Sequence, residues 1–172
     1  MIELPAAWRA RAMVLEGPAD RSLFSNEELA TADAFKLAKR RNEWLLSRQA
    51  AKRLGTRRYV SYSHSGNYAG AASDDEPIGI DVQVVRDLDE RVAHLFLSDA
   101  ETAAMQRCTL PHRLLHFWCA KEAAWKPRSE RYATLKQLPL TLVEERADGL
   151  LFDLVETVAI GEVIVALTSV ES

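Results

Sequence analysis

The sequence predicts an α+β fold built from two helix-plus-sheet lobes, on three observations. Helical and strand-like patterning occurs in both halves of the chain, the acidic stretch Asp74-Asp75-Glu76-Pro77 interrupts it midway, and the final third alternates short apolar runs with glycine turns. The interruption divides an N-terminal lobe, residues 1–74, from a C-terminal lobe, residues 75–172. A chain of 172 residues is long enough for one compact core or for two small lobes sharing an interface.

Each element has its own signal. The apolar run Ala12-Met13-Val14-Leu15 suits a first strand and is closed by Gly17-Pro18. Ser25-Asn26-Glu27-Glu28 reads as a helix start, with Ser25 as N-cap and Glu28 completing a capping box. The helical stretch that follows is expected to break near Lys36. Its second part groups Trp44, Leu45, Ala51 and Leu54 and stops at Gly55. Residues 59–65 and 68–72 read as two short strands around a Gly66-Asn67 turn.

In the second half, residues 78–85 alternate as a strand, with Ile78, Ile80, Val82 and Val84 on one face and Asp81 and Gln83 on the other. Residues 88–107 carry helical patterning, with Ser98 and Glu101 forming a second capping box. Pro111 is expected to open a helix that runs through Lys126 and is stopped by Pro127. Residues 140–168, with turns at Asp148-Gly149 and Gly161, predict about three antiparallel strands.

Composition narrows the function classes. A hydrophobic share of 48% and a charged share of 27% are those of a folded soluble chain rather than a disordered one. There is no apolar run of about eighteen residues, and the opening Met1-Ile2-Glu3-Leu4-Pro5 lacks the basic start of a signal peptide, so a cytoplasmic protein without membrane association is expected. Cys108 and Cys119 form no close metal-binding pair and read as free buried thiols.

The net charge of −3 gives no reason to expect nucleic acid, but nine of the 22 basic residues fall within residues 36–58, against the single acid Glu43. That segment is suited to an anion, or else presents a solvated helix face.

Three clusters could carry chemistry. Trp118, Lys121, Glu122, Trp125 and Lys126 share one broad helix side. The plain alternative is that Glu122 and Lys126 form an i,i+4 ion pair worth about 0.3–0.5 kcal/mol while the tryptophans pack in the core. Asp81 and Gln83 point the same way from a strand, which also fits a wet edge, and Gly79 just before them allows a ligand or a backbone to approach. Ser63-His64-Ser65-Gly66 can donate several hydrogen bonds to phosphate oxygens. A Ser-His nucleophile pair is disfavoured, because adjacent strand residues face opposite ways.

In their order, Ser63-His64-Ser65-Gly66, Gly79-Ile80-Asp81-Val82-Gln83 and Trp118-Cys119-Ala120-Lys121-Glu122-Ala123-Ala124-Trp125-Lys126 resemble the signature of Sfp-type 4′-phosphopantetheinyl transferases. The resemblance extends over most of the chain and implies a pseudo-dimer of two similar α+β lobes with coenzyme A between them. It implies transfer of phosphopantetheine from coenzyme A to a serine of an acyl, polyketide or peptidyl carrier protein, with release of 3′,5′-ADP, by a monomer. It also implies Mg2+ held by Asp81 and Glu122, with Gln83 beside them, and Glu122 as general base. Lys126 is implied at the leaving side, and Lys121 beside the phosphates. Arg48, Lys52, Ser63 and His64 match the family's contacts to coenzyme A.

The chain departs from the family pattern at three points. Gln83 stands where many members have a third carboxylate. Only Thr56-Arg57-Arg58 separates Gly55 from Tyr59, where the family inserts a lysine-bearing loop, so that Arg57 or Arg58 is left to replace that lysine. Pro127-Arg128-Ser129 replaces a glycine-containing turn. Gln83 and the shortened linker motivate an alternative, a degenerate member that binds coenzyme A or a carrier protein without efficient transfer. An unrelated metal-dependent phosphohydrolase built on Asp81 and Glu122 is a third reading, and it would need more carboxylate or histidine ligands.

Overall fold

Two helix starts follow directly from their side chains. Ser25 caps α1 (Asn26–Asp33), its hydroxyl accepting from the Glu28 N–H while the Glu28 carboxylate accepts from the Ser25 N–H. Ser98 and Glu101 repeat the arrangement at α3 (Asp99–Arg107). Each box satisfies two of the N–H groups that a helix start otherwise leaves open. The computed structural model describes residues 1–168.

The fold is a mixture of helices and antiparallel sheets. The first sheet has the order β1-β3-β2, from β1 (Ala12–Glu16), β2 (Tyr59–Ser65) and β3 (Tyr68–Asp74). β2 and β3 are joined at Gly66, whose φ of 59° is a turn conformation that glycine adopts without strain. α2 (Ala38–Leu54) lies across one face of this sheet, where Leu46, Ala50 and Ala51 pack on Leu15, Ala69 and Ala71. Its end at Gly55, with φ of 88°, is the stop that the sequence predicts.

The chain changes sheets between Asp74 and Ile80. The second sheet has the order β4-β8-β7-β6-β5, from β4 (Ile80–Val84), β5 (Leu142–Glu145), β6 (Leu150–Phe152), β7 (Val155–Ile160) and β8 (Val163–Thr168). α4 (Arg113–Trp125) crosses it and buries Leu115, Phe117, Ala120 and Ala123 against Phe152, Ile164 and Ala166. Phe117 and Phe152 meet edge to face, with centroids 5.0 Å apart. The other face of β4 and β8 packs on the first sheet through Ile80, Val82 and Val165 against Val14 and Ala72.

Four details differ from expectation. The segment 140–168 holds four strands rather than three, because Asp153 and Leu154 interrupt the apolar run between β6 and β7. The helical patterning of residues 88–107 is split into a 3-10 segment, Glu90–Leu95, and α3, since Ser98 starts a new helix with its own cap.

α4 begins at Arg113 rather than at Pro111. His112 stands before it at φ 54°, and its imidazole lies 3.2 Å from Asp87. Regular α-helix ends at Trp125, one residue short of Lys126, because Pro127 has no N–H to give to the Ala123 carbonyl. Cys108 and Cys119 are free and buried. Among the described residues no helix is long and apolar enough to cross a membrane.

Candidate active site

Alternation along β4 sends Ile80 and Val82 into the core between the sheets and turns Asp81 the other way, where it is only 4% exposed. A buried carboxylate requires donors, and Asp81 has three. Its Oδ1 accepts from the Ser63 hydroxyl at 2.8 Å and from the Lys126 ammonium at 3.0 Å, and its Oδ2 accepts from the Gln83 amide at 2.8 Å.

Lys126 sits just past the end of α4 and uses all three of its N–H bonds, giving the other two to the carbonyls of Ile80 at 2.6 Å and Tyr62 at 3.2 Å. The i,i+4 pairing open to Lys126 is therefore not the one it makes; its ammonium goes to Asp81.

Glu122, one turn earlier on α4, is half-buried, and among the described residues its carboxylate accepts no hydrogen bond and forms no ion pair. Burial raises its pKa, the negative charge of Asp81 raises it further, and Lys126 offsets only part of this. Cys119 lies on the same side of the helix, where burial and then Asp81 push its thiol well above the ordinary range, so it stays protonated. Two carboxylates with one ammonium leave one negative charge in excess. Among the described residues, no group of three or more His, Cys, Asp and Glu side chains converges as a metal site.

β2 connects this cluster to a cavity of about 200 Å³ lined by Arg40, Glu43, Trp44, Arg48, Tyr62 and His64, among others. Its odd residues Ser61, Ser63 and Ser65 face β4, while Tyr62 and His64 face the cavity. The Arg48 guanidinium lies between two aromatic rings, 4.5 Å from the Trp44 centroid and 4.2 Å from that of Tyr62.

Glu43 is buried at the cavity wall and holds Arg40 at 3.3 Å and His64 at 3.5 Å. Burial holds the His64 imidazole below its ordinary range; Glu43 opposes this, and Arg40 adds to it.

The sequence-derived residues thus separate into groups. Asp81, Gln83, Glu122 and Lys126 gather at one point, and Ser63 joins them through Asp81. Arg48 and His64 share the cavity beside it. Lys52 is outside both, its ammonium 2.9 Å from Glu28 of α1 and 5.4 Å from the Phe24 ring.

Lys121 is fully buried on another side of α4, 2.6 Å from Glu101 and donating to the carbonyls of Leu135 and Leu138. The residue adjacent to Glu122 is turned by about 100° around the helix, so a lysine-glutamate pair in sequence need not share a site. Burial lowers the Lys121 pKa against the pull of Glu101. Trp118 packs edge-on against Phe96, and Trp125 donates to the Tyr132 carbonyl, so both indoles belong to the core.

Arg57 lies 3.8 Å from Asp74, and Arg58 stacks by Tyr59. In the sequence Arg40 stands out only as one of the basic run, while Tyr62 and the Ser61–Ser65 alternation are not singled out, although their period of two was the available signal.

Asp81, Gln83, Glu122 and Lys126 all follow the change of sheets, within one stretch of the chain. Residues 77–151 match the model of the 4′-phosphopantetheinyl transferase superfamily. No curated protein matches the chain. The superfamily match covers less than half of the 172 residues but includes Asp81, Gln83, Lys121, Glu122 and Lys126. In that segment the chain is similar to transferases of phosphopantetheine. Arg48, Ser63 and His64 lie outside the matched residues.

Proposed function

We propose that the protein is an Sfp-type 4′-phosphopantetheinyl transferase, moving phosphopantetheine from coenzyme A to a serine of an apo carrier protein and releasing 3′,5′-ADP. The observation that carries this reading is the Glu122 carboxylate, unpartnered among the described residues, beside Asp81 and Lys126 within the segment that matches the transferase superfamily.

The excess negative charge there and the open carboxylate fit a hard divalent cation such as Mg2+, with water completing its coordination. Asp81 and Glu122 would hold it. Gln83 would join through its amide oxygen after turning over, since its nitrogen now faces Asp81. When bound, Mg2+ supplies charge stabilisation for the pyrophosphate as the carrier serine attacks the β-phosphate.

Glu122 accepts the serine proton. As a residue that would hold the cation, it would do so directly or through a metal-bound water. Lys126 keeps a positive charge at the leaving side and fixes Asp81. Arg48 and His64, together with Arg40, line the cavity that would receive the nucleotide end of coenzyme A. The two lobes are read as the family's pseudo-dimer, which leaves the cytoplasmic monomer complete without a second copy.

The test is incubation with coenzyme A, Mg2+ and an apo carrier protein, followed by mass spectrometry of the carrier. Addition of phosphopantetheine is expected with the wild type and lost in Asp81→Ala and Glu122→Ala; full activity in either variant would reject this site. The complete engagement of Asp81 by three donors favours a second reading, a member that binds coenzyme A without efficient transfer. Binding retained with no mass gain on any of several carriers would select it.

A further inference from the structure

β4 pairs with β8 along one edge only, so the N–H groups of Ile80, Val82 and Val84 on its other edge would lie buried without acceptors. Among the described residues no strand supplies them. Instead three serine hydroxyls of β2 stand in for a neighbouring strand's carbonyls. Ser61 accepts from Ile80 at 3.2 Å, Ser63 from Val82 at 3.0 Å and Ser65 from Val84 at 3.0 Å. The spacing of two residues on β2 matches the spacing of two on β4, which is why the serines alternate with Tyr62 and His64.

The three rungs differ in what their own protons do. A hydroxyl has one proton to give. The Ser63 proton goes to Asp81 Oδ1, 2.8 Å away, and Ser63 is 7% exposed. Ser61 is buried to the same extent and makes the same bond to a β4 N–H, yet among the described residues its hydroxyl donates to no carboxylate. Ser63 therefore has no proton left for a phosphate oxygen unless it releases Asp81. Its hydroxyl and the Gln83 amide grip the two oxygens of Asp81 separately, which fixes the rotation of the carboxylate about χ2.

We propose that Ser63 is a positioning residue for Asp81 rather than a ligand of coenzyme A: the seam between the sheets sets the direction in which the carboxylate faces. The proposal rests on the reading of Asp81 as a cation-holding residue of the transferase.

Three variants, Ser63→Ala, Ser63→Thr and Ser61→Ala, separate the roles. Calorimetry measures the affinity of each for Mg2+ alone, and for coenzyme A in EDTA. Ser63→Ala is expected to weaken Mg2+ binding by about tenfold to a hundredfold, the usual effect of removing a group that orients a ligand, with coenzyme A affinity in EDTA unchanged. Ser63→Thr should restore Mg2+ binding, and Ser61→Ala should resemble the wild type in both measurements. In the transfer assay the Ser63→Ala defect should shrink as Mg2+ is raised.

Equal Mg2+ affinities for Ser63→Ala and Ser61→Ala would overturn the proposal, leaving Ser63 as seam only. Weakened coenzyme A binding in EDTA with unchanged Mg2+ affinity would overturn it in favour of a phosphate contact. If Ser63→Ala does not fold, Ser63→Cys keeps the side-chain volume with a poorer donor and carries the same comparison. A wild-type protein that neither binds Mg2+ nor transfers would instead reject the underlying reading of the site, and the proposal with it.

Discussion

Lys126 and Asp81 meet at 3.0 Å, and the same ammonium reaches the carbonyls of Ile80 in β4 and Tyr62 in β2. One side chain past the end of α4 thus ties that helix to a strand of each sheet. Lys126→Met should cost about 2 kcal/mol in urea unfolding, the scale of charge-assisted hydrogen bonds lost from a partly exposed site, and should abolish transfer. Lys126→Arg keeps the charge, but its planar fork cannot direct three N–H groups to three separated acceptors, so only partial recovery is expected. A fully stable, fully active methionine variant would contradict both roles.

Lys121 separates structural from chemical lysines. Removing its charge leaves Glu101 buried without its cation, and Lys121→Met is expected to destabilise by about 3–5 kcal/mol. Adding Glu101→Gln should recover part of the loss. Coenzyme A binding by the folded fraction should be unchanged. A selective loss of that binding with normal stability would place Lys121 at the phosphates after all.

His116 should make the protein acid-sensitive. It is buried against Thr157, and burial, aided by His112, lowers its pKa to about 4 from an ordinary value of 6.5. Below 6.5 the unfolded chain takes up a proton that the folded chain refuses until about 4. Its stabilising contribution is therefore present above 6.5 and falls between these values, by up to roughly 1.4 kcal/mol per pH unit. His116→Gln should flatten that part of a stability-versus-pH curve measured by denaturant unfolding. An unaltered slope would assign the acid sensitivity elsewhere.

Arg48 has its guanidinium carbon over both the Trp44 and the Tyr62 ring, so shape as well as charge is at stake. Arg48→Ala should weaken coenzyme A binding by about tenfold or more, as expected for loss of one charge-assisted contact. Arg48→Lys should recover little of it, because an ammonium does not stack on two rings as a guanidinium does. Calorimetry at two salt concentrations is the measurement, and the wild-type affinity should fall as salt rises.

Gln83→Glu restores a carboxylate beside Asp81 and should tighten Mg2+ binding. An unchanged Mg2+ titration would mean that position 83 does not touch the ion.

The sequence revealed those parts of the molecule whose signals are local. The Ser25 and Ser98 capping boxes, the stop at Gly55 and the turn at Gly66 depend on near neighbours and stand as read. Asp81, Glu122 and Lys126 could be picked out by residue type, and they do gather.

What was not legible depends on contacts between distant segments. Lys121 and Glu122 are adjacent letters, and only the packing of α4 between the Asp81 side and the Glu101 side separates them. Ser63 looked like a phosphate donor because the sequence does not reveal that β4 has an open edge beside it. The basic run and the family resemblance group Lys52 with Arg48, yet it pairs with a glutamate from α1.

The approach of Gly79 to α4 bears on how the candidate site would score in a mutational screen. A Cβ added at Gly79 would lie 1.9 Å from the Ala123 carbonyl oxygen and 2.8 Å from the Pro127 ring, so two main chains touch there with no room for any side chain. The gap between the strand bearing Asp81 and the helix bearing Glu122 is thereby set by backbone against backbone. Drift in surrounding side chains cannot widen it. A saturation scan read by activity alone would rank position 79 with the carboxylates, although it carries no functional group.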